Sequence, residues 1–173
     1  MRHGHQQVVV MGVAGTGKST VGERLAAELG YDFVEGDQHH PQANIDKMAA
    51  GTPLTDEDRL PWLQALRDLL AANARIGRST VLTCSALRRH YRDVLREGVG
   101  QGVVFFVHLH APYDVLLERM STRSHFMPPS LLRSQFDTLE PLEDDEIGQL
   151  VDVTGPIDDV VASARAAVAE PVW

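Results

Sequence analysis

The segment Gly12-Val13-Ala14-Gly15-Thr16-Gly17-Lys18-Ser19 constrains this chain more than any other. It satisfies G-x-x-x-x-G-K-[S/T] at every fixed position and is followed by Thr20. Such a string also arises by chance in glycine-rich loops, so its surroundings decide. Here the apolar run 8–11 leads into it, and a helical pattern from Lys18 to about Leu29 leads out, with Gly30 suited to an αL terminus. Strand, glycine-rich loop and helix in that order form a phosphate cradle. The glycines let successive backbone N–H groups converge on an anion, and the helix start adds the positive end of its dipole. Gly12, Val13, Ala14, Gly15, Thr16, Gly17, Lys18, Ser19 and Thr20 are therefore expected to bind ATP. Lys18 would reach the β- and γ-phosphates, and the Ser19 hydroxyl would be a ligand of Mg²⁺.

The remainder repeats the alternation of apolar run and helical period that marks βαβ units. Further strands are expected over residues 32–34, 80–84, 103–109 and 150–153. Helices are expected over 44–50, through Leu60, Leu63, Leu66 and Leu70, over 86–96, after Pro112, and from 157 to about 169. The fold class this predicts is α/β, a doubly wound five-stranded parallel sheet. Residues 119–146 are polar and proline-punctuated, with a short helical pattern near 131–139, and read as a lid insertion. A chain of 173 residues, 43% hydrophobic, suits one domain over 1–173.

Composition narrows the partners. A net charge of −8 disfavours nucleic acid and anionic membrane surfaces, though a basic pocket for a small anion can sit inside an acidic protein. No apolar stretch approaches the roughly 20 residues needed to cross a bilayer. The polar start Met1-Arg2-His3-Gly4-His5 lacks the apolar centre of a signal peptide. Cys84 is the sole cysteine, so no intramolecular disulfide is available and a reducing cytoplasm is the expected setting.

Among P-loop classes, a GTPase would need N-K-x-D, which is absent. Asp152-Val153-Thr154-Gly155 spells D-x-x-G, but too little chain follows it. Motor ATPases end a later buried strand on an acidic residue, whereas these end Thr83-Cys84-Ser85 and His108-Leu109-His110. The acidic residues lie instead after strand two, in Glu35-Gly36-Asp37. The ligand crevice of an open parallel sheet lies outside the carboxyl ends of its strands. Asp37 is thus the candidate base for an attacking hydroxyl beside the γ-phosphate, its plain alternative being a helix cap. This pattern points to a small-molecule kinase.

Longer blocks carry a resemblance. Gly36-Asp37-x-x-His40-Pro41-x-x-Asn44-Ile45-x-Lys47-Met48 is followed by Gly51-x-Pro53-Leu54-x-Asp56-x-Asp58-Arg59-x-Pro61-Trp62-Leu63. Then come Cys84-Ser85-Ala86-Leu87-Arg88-Arg89-x-Tyr91-Arg92-Asp93 and, after Arg119 and Arg123, Leu132-x-Ser134-Gln135-Phe136-x-x-Leu139-Glu140. Over about residues 8–156 the chain resembles the thermoresistant-type gluconate kinases. The resemblance implies ATP-dependent phosphorylation of D-gluconate on its terminal hydroxyl, giving 6-phosphogluconate and ADP. It also implies kinship with nucleoside monophosphate and shikimate kinases, with a helical substrate-binding region and a lid; dimers are common in such families. Rival readings are a kinase for another small acceptor (shikimate, adenylylsulfate or a nucleotide) and a nucleotide-binding regulator without catalysis.

Gluconate needs a cation at one end and a base with a phosphate clamp at the other. Arg88, just past strand three, is the candidate for a bidentate grip on the carboxylate, with Arg59 as a second. His40 and Lys47 are expected to contact hydroxyls or the carboxylate; Lys47 is, with Lys18, one of only two lysines. Plain alternatives are a surface lysine at 47, an Arg59–Asp56 surface pair and a structural histidine at 40. Arg119 and Arg123 share a helix face and are expected to clamp the transferring phosphoryl group. Arg92 and Arg96 read as solvated, and Glu143-Asp144-Asp145-Glu146 as a solvated loop. His108 and His110 alternate onto one strand face and read as packing or crevice lining. Thr154-Gly155-Pro156 is a candidate for contacts to adenine.

Overall fold

A computed structural model describes residues 5–99, 104–121 and 129–169. Five strands, β1 (Gln7–Met11), β2 (Asp32–Glu35), β3 (Thr80–Thr83), β4 (Val104–His110) and β5 (Gly148–Asp152), form one sheet in the order β2-β3-β1-β4-β5. All four pairings are parallel, with Val10 beside both Thr83 and Val107. Burial follows position. The strands β1 and β3 are wholly buried, with a continuous apolar run only at Val8–Met11 of β1, while the edge strand β5 exposes Leu150.

Seven α-helices are described, α1 (Lys18–Leu29), α2 (Gln42–Ala49), α3 (Asp56–Arg75), α4 (Arg89–Glu97), α5 (Tyr113–Ser121), α6 (Pro129–Thr138) and α7 (Ile157–Ala169), with a 3-10 turn over Gly36–His39. α1 packs with α7, α3 with α4, and α5 with α6. Leu63, Leu66 and Leu70, at three- and four-residue spacing, form the buried stripe of α3. That helix opens on a capping box: the Thr55 hydroxyl accepts from the Asp58 amide and the Asp58 carboxylate accepts from the Thr55 amide. Because β1 lies between β3 and β4, the crevice over its carboxyl end receives loops from both directions of winding.

Three expectations need correction. The helix predicted over 86–96 begins at Arg89, because Ala86 takes φ 46°, a left-handed conformation that no α-helix continues through. Its start is supported from afar: the Arg89 amide donates to Glu140 Oε1 (2.8 Å), and the Glu140 amide donates to the Leu87 carbonyl (2.6 Å). Arg92 and Arg96 are not solvated. The Arg92 side chain is 0% exposed and grips Glu146 with Nε (2.6 Å) and Nη2 (2.9 Å), and Arg96 Nη2 donates to the same carboxylate (2.9 Å). Glu146 is accordingly buried rather than part of a solvated loop, although its neighbours Asp144 and Asp145 are exposed. The helix period misassigned α4 because its arginines face a buried partner supplied more than fifty residues later.

Candidate active site

The phosphate loop is anchored before any ligand arrives. Gly12 holds φ 144°, and a Cβ there would stand 2.6 Å from the Leu109 carbonyl oxygen, so only glycine fits between β1 and β4. Its amide donates to the Ser85 carbonyl (3.2 Å), tying the loop to the end of β3. The buried Thr16 hydroxyl closes on the Val13 carbonyl (2.9 Å). Gly17 caps α1 in the left-handed conformation with no side chain over the helix start. That arrangement leaves the first amides of α1 to an anion. Lys18 Nζ lies back along the loop, donating to the carbonyls of Gly12 (3.0 Å) and Val13 (3.1 Å). Burial lowers the Lys18 pKa, opposed by the charges of Asp37, Cys84 and Glu35.

The end of β2 delivers the carboxylates. The Ser19 hydroxyl donates to Glu35 Oε1 (2.5 Å), and Thr83 Oγ1 donates to Glu35 Oε2 (2.6 Å). Glu35 is therefore the residue that orients the proposed metal ligand, a role that sequence reasoning, fixed on Asp37, did not assign. Gly36 passes so close to β3 that a Cβ would fall 1.9 Å from the Thr83 carbonyl oxygen. The following Asp37 is exposed, with 69% of its side chain accessible. His40 is buried, stacked on Trp62 (centroids 3.9 Å apart, 18° between planes), with Nε2 3.9 Å from Asp37 Oδ1. Trp62 Nε1 in turn donates to the Gly36 carbonyl (2.8 Å).

A second cluster sits at the start of α3 and α4. Arg59 Nη1 donates to the Tyr91 hydroxyl (2.9 Å), which donates to Asp56, so Arg59 reaches Asp56 through a tyrosine rather than directly. The Tyr91 pKa is pushed up to about 12, by burial first and then by the Asp56 bond. The charges of Arg88 and Arg59 both bear on Asp56. Arg88 itself holds its Nε buried without a hydrogen-bond partner, an unsatisfied donor whose cost an incoming anion would remove. Cys84, at the hinge of the two clusters, feels Asp37, Lys18 and Arg59 together; burial pushes its thiol up to about 12.

Other expected residues are differently engaged. Lys47 Nζ is bonded to Asp58 Oδ2 (2.6 Å), and this contact, with the capping-box bonds, draws the Asp58 carboxyl down to about 2. Arg119 Nη2 donates to the Val153 carbonyl (2.6 Å), at the turn that continues into Thr154-Gly155-Pro156. Arg123 lies outside the described residues. Gln135, on α6, sends Oε1 to the Ala14 amide (2.7 Å), bringing that helix against the phosphate loop. His108 is buried beside His110 (centroids 6.1 Å apart), and burial, His110 and Arg92 lower its pKa to about 4. No described helix is long and apolar enough to cross a membrane.

Comparison with known proteins bears on this geometry. A family model described as an AAA domain matches residues 8–142. The thermoresistant gluconokinase of Escherichia coli K12 is 45% identical over 163 residues, covering 93% of this chain and 92% of that protein. The gluconokinase of Gluconobacter oxydans 621H is 51% identical over 141 residues, 80% of this chain and 78% of its own. A crystal structure of a gluconokinase from Sinorhizobium meliloti 1021 superposes with a TM-score of 0.88 at 48% identity, covering 97% of this chain and 94% of that one.

Proposed function

The chain belongs to the gluconokinase family, and from that premise we propose that it transfers the γ-phosphoryl group of ATP to the terminal hydroxyl of D-gluconate. The observation that carries this reading is the content of one crevice. It has a phosphate end, made of the uncapped start of α1 with Lys18, and a cationic end, made of Arg59 and the unsatisfied Arg88. Asp37 acts on Lys18 at the phosphate end, Arg59 acts on His40 at the cationic end, and Asp37 and His40 act on each other between them. That is the order of groups an aldonic acid phosphorylated at its far hydroxyl requires.

In the proposed reaction the acceptor oxygen forms its bond to the γ-phosphorus as the bond to the bridging oxygen breaks. ADP leaves with that electron pair, and the hydroxyl proton passes to the Asp37 carboxylate. Lys18 would turn from the Gly12 and Val13 carbonyls to the phosphates, and Gln135 would yield the Ala14 amide to them. Ser19 and Glu35 form an oxygen-only donor pair that suits Mg²⁺. Bound with ATP, that ion neutralises charge developing on the phosphate oxygens. Residues 119–146 are proposed as the lid, with Arg119 and Arg123 as the arginines that clamp the transferring phosphoryl group. Arg119 then serves the nucleotide side of the crevice, an inference supported by its bond beside the 154–156 turn.

Release of ADP from ATP·Mg²⁺, measured across gluconate, other aldonic acids, shikimate, adenylylsulfate and nucleoside monophosphates, tests the proposal. Gluconate is expected to support turnover far above the rest. Preferential turnover of any other acceptor would retain the phosphate site and discard gluconate.

A further inference from the structure

The acceptor end of the crevice contains a buried amide that the chemistry above does not use. Asn44, in the first turn of α2, is 3% exposed, and its Nδ2 makes two contacts: to His40 Nδ1 (3.1 Å) and to the backbone carbonyl of Asp58 (2.9 Å). A carbonyl only accepts, so Asp58 determines which end of the amide is the nitrogen. The second N–H of that nitrogen faces His40 Nδ1, which must then present its lone pair. In a neutral imidazole the ring proton is consequently on Nε2. Neutrality is favoured by the surroundings: burial, the largest influence, lowers the His40 pKa, Asp37 opposes it with a smaller effect, and Arg59 lowers it with a smaller effect still. The ring plane is fixed independently by the stack on Trp62.

The protonated Nε2 stands 3.9 Å from Asp37 Oδ1, too far for a direct hydrogen bond. A hydroxyl oxygen at hydrogen-bond distance from both bridges that gap, accepting from Nε2–H and donating to the carboxylate. We propose that Asn44 is a positioning residue: by occupying Nδ1 it holds His40 as the Nε2–H tautomer, so that the acceptor alcohol is gripped between His40 and Asp37 with its remaining lone pair free for phosphorus. The role in transfer rests on the kinase reading above, while the tautomer does not. The grip selects an oxygen that both accepts and donates, which an aldehyde, an ether or a carboxylate cannot do.

The test has two parts. Long-range ¹H–¹⁵N correlation spectra of the uniformly labelled full chain, without substrate, report which ring nitrogen is protonated, with His40 identified by its loss in His40→Gln. Protonated Nε2 with unprotonated Nδ1 is expected; an Nδ1–H tautomer or a doubly protonated ring overturns the proposal. Kinetically, Asn44→Leu is expected to lower kcat with gluconate about tenfold, the usual size of a supporting-residue effect, and to leave KM for ATP unchanged. In a His40→Gln background, where a side-chain N–H is presented with no tautomer to set, the same substitution is expected to cost less than about twofold. Equal losses in both backgrounds would reduce Asn44 to a packing role and overturn the proposal. Should Asn44→Leu not fold, the wild-type spectrum still decides. A wrong acceptor assignment shows itself separately, as absent turnover with gluconate in the wild type.

Discussion

At the residue scale, the site is built from groups left incompletely satisfied. Most buried polar atoms in a folded chain find partners; among the described residues Gln7 Oε1, Arg88 Nε, Arg96 Nη1 and His108 Nε2 do not, and of these Arg88, which with Arg59 acts on Asp56, is the one placed to meet a ligand. Removing it should therefore weaken substrate binding without altering chemistry. Arg88→Ala is expected to raise KM for gluconate about 10- to 100-fold, the value of a charge-assisted hydrogen bond, with kcat and KM for ATP nearly unchanged. Steady-state kinetics with each substrate varied in turn make the check. Glu35 is the converse case, a carboxylate with a partner on each oxygen, Ser19 and Thr83, so that it holds the Ser19 hydroxyl in place.

At the element scale, α4 shows how distant parts of the chain assemble the crevice. The left-handed Ala86 turn that presents Arg88 is held by Arg92 Nη1 on the Ala86 carbonyl (2.8 Å), and Arg92 is held by the buried Glu146. Burial alone would raise the Glu146 pKa, but hydrogen bonds from Arg92, the Glu143 amide and Arg96 outweigh it and lower the pKa. Glu146→Gln leaves the buried Arg92 guanidinium without its counter-charge, while Arg96 keeps Asp93 (2.8 Å), so a loss of about 3 kcal/mol is expected. That corresponds to a fall in Tm of roughly 10 °C by calorimetry for a chain of this size. Elements with strong local signals were legible in the sequence: β1, the glycine loop and α1 follow from contiguous residues, and the bounds of α1 and α7 match the expected ones. What escaped depended on remote partners. The start of α4 is supported by Glu140, the arginines of α4 face Glu146, and Lys47 is taken by Asp58. One local signal was available and unused: Thr55-x-x-Asp58 spells the capping box that begins α3. The position of Lys18 was readable because contiguous residues of one strand–loop–helix unit carry it, and that of Asp37 because it follows directly on β2.

At the scale of the whole molecule, a parallel sheet sets the phosphate loop at the carboxyl end of its central strand, and buried histidines beside that sheet couple stability to pH. His108 titrates near 4 when folded against an ordinary value of 6.5, so the unfolded chain binds its proton first as pH falls. Stability is then fully present above pH 6.5, declines as pH drops toward 4, and loses at most about 3 kcal/mol from this group. His40, lowered in the same direction, adds to the slope. Denaturant midpoints at pH 7.5 and 4.5 should differ less in His108→Gln than in the wild type. The central claim, that this crevice phosphorylates gluconate with Asp37 as base, is tested most directly by ADP release from ATP·Mg²⁺ and gluconate in the wild type and in Asp37→Asn. The account predicts gluconate-dependent release in the wild type and a loss of at least about 100-fold in kcat in the variant. Release independent of gluconate, or an Asp37→Asn enzyme as fast as the wild type, would contradict it.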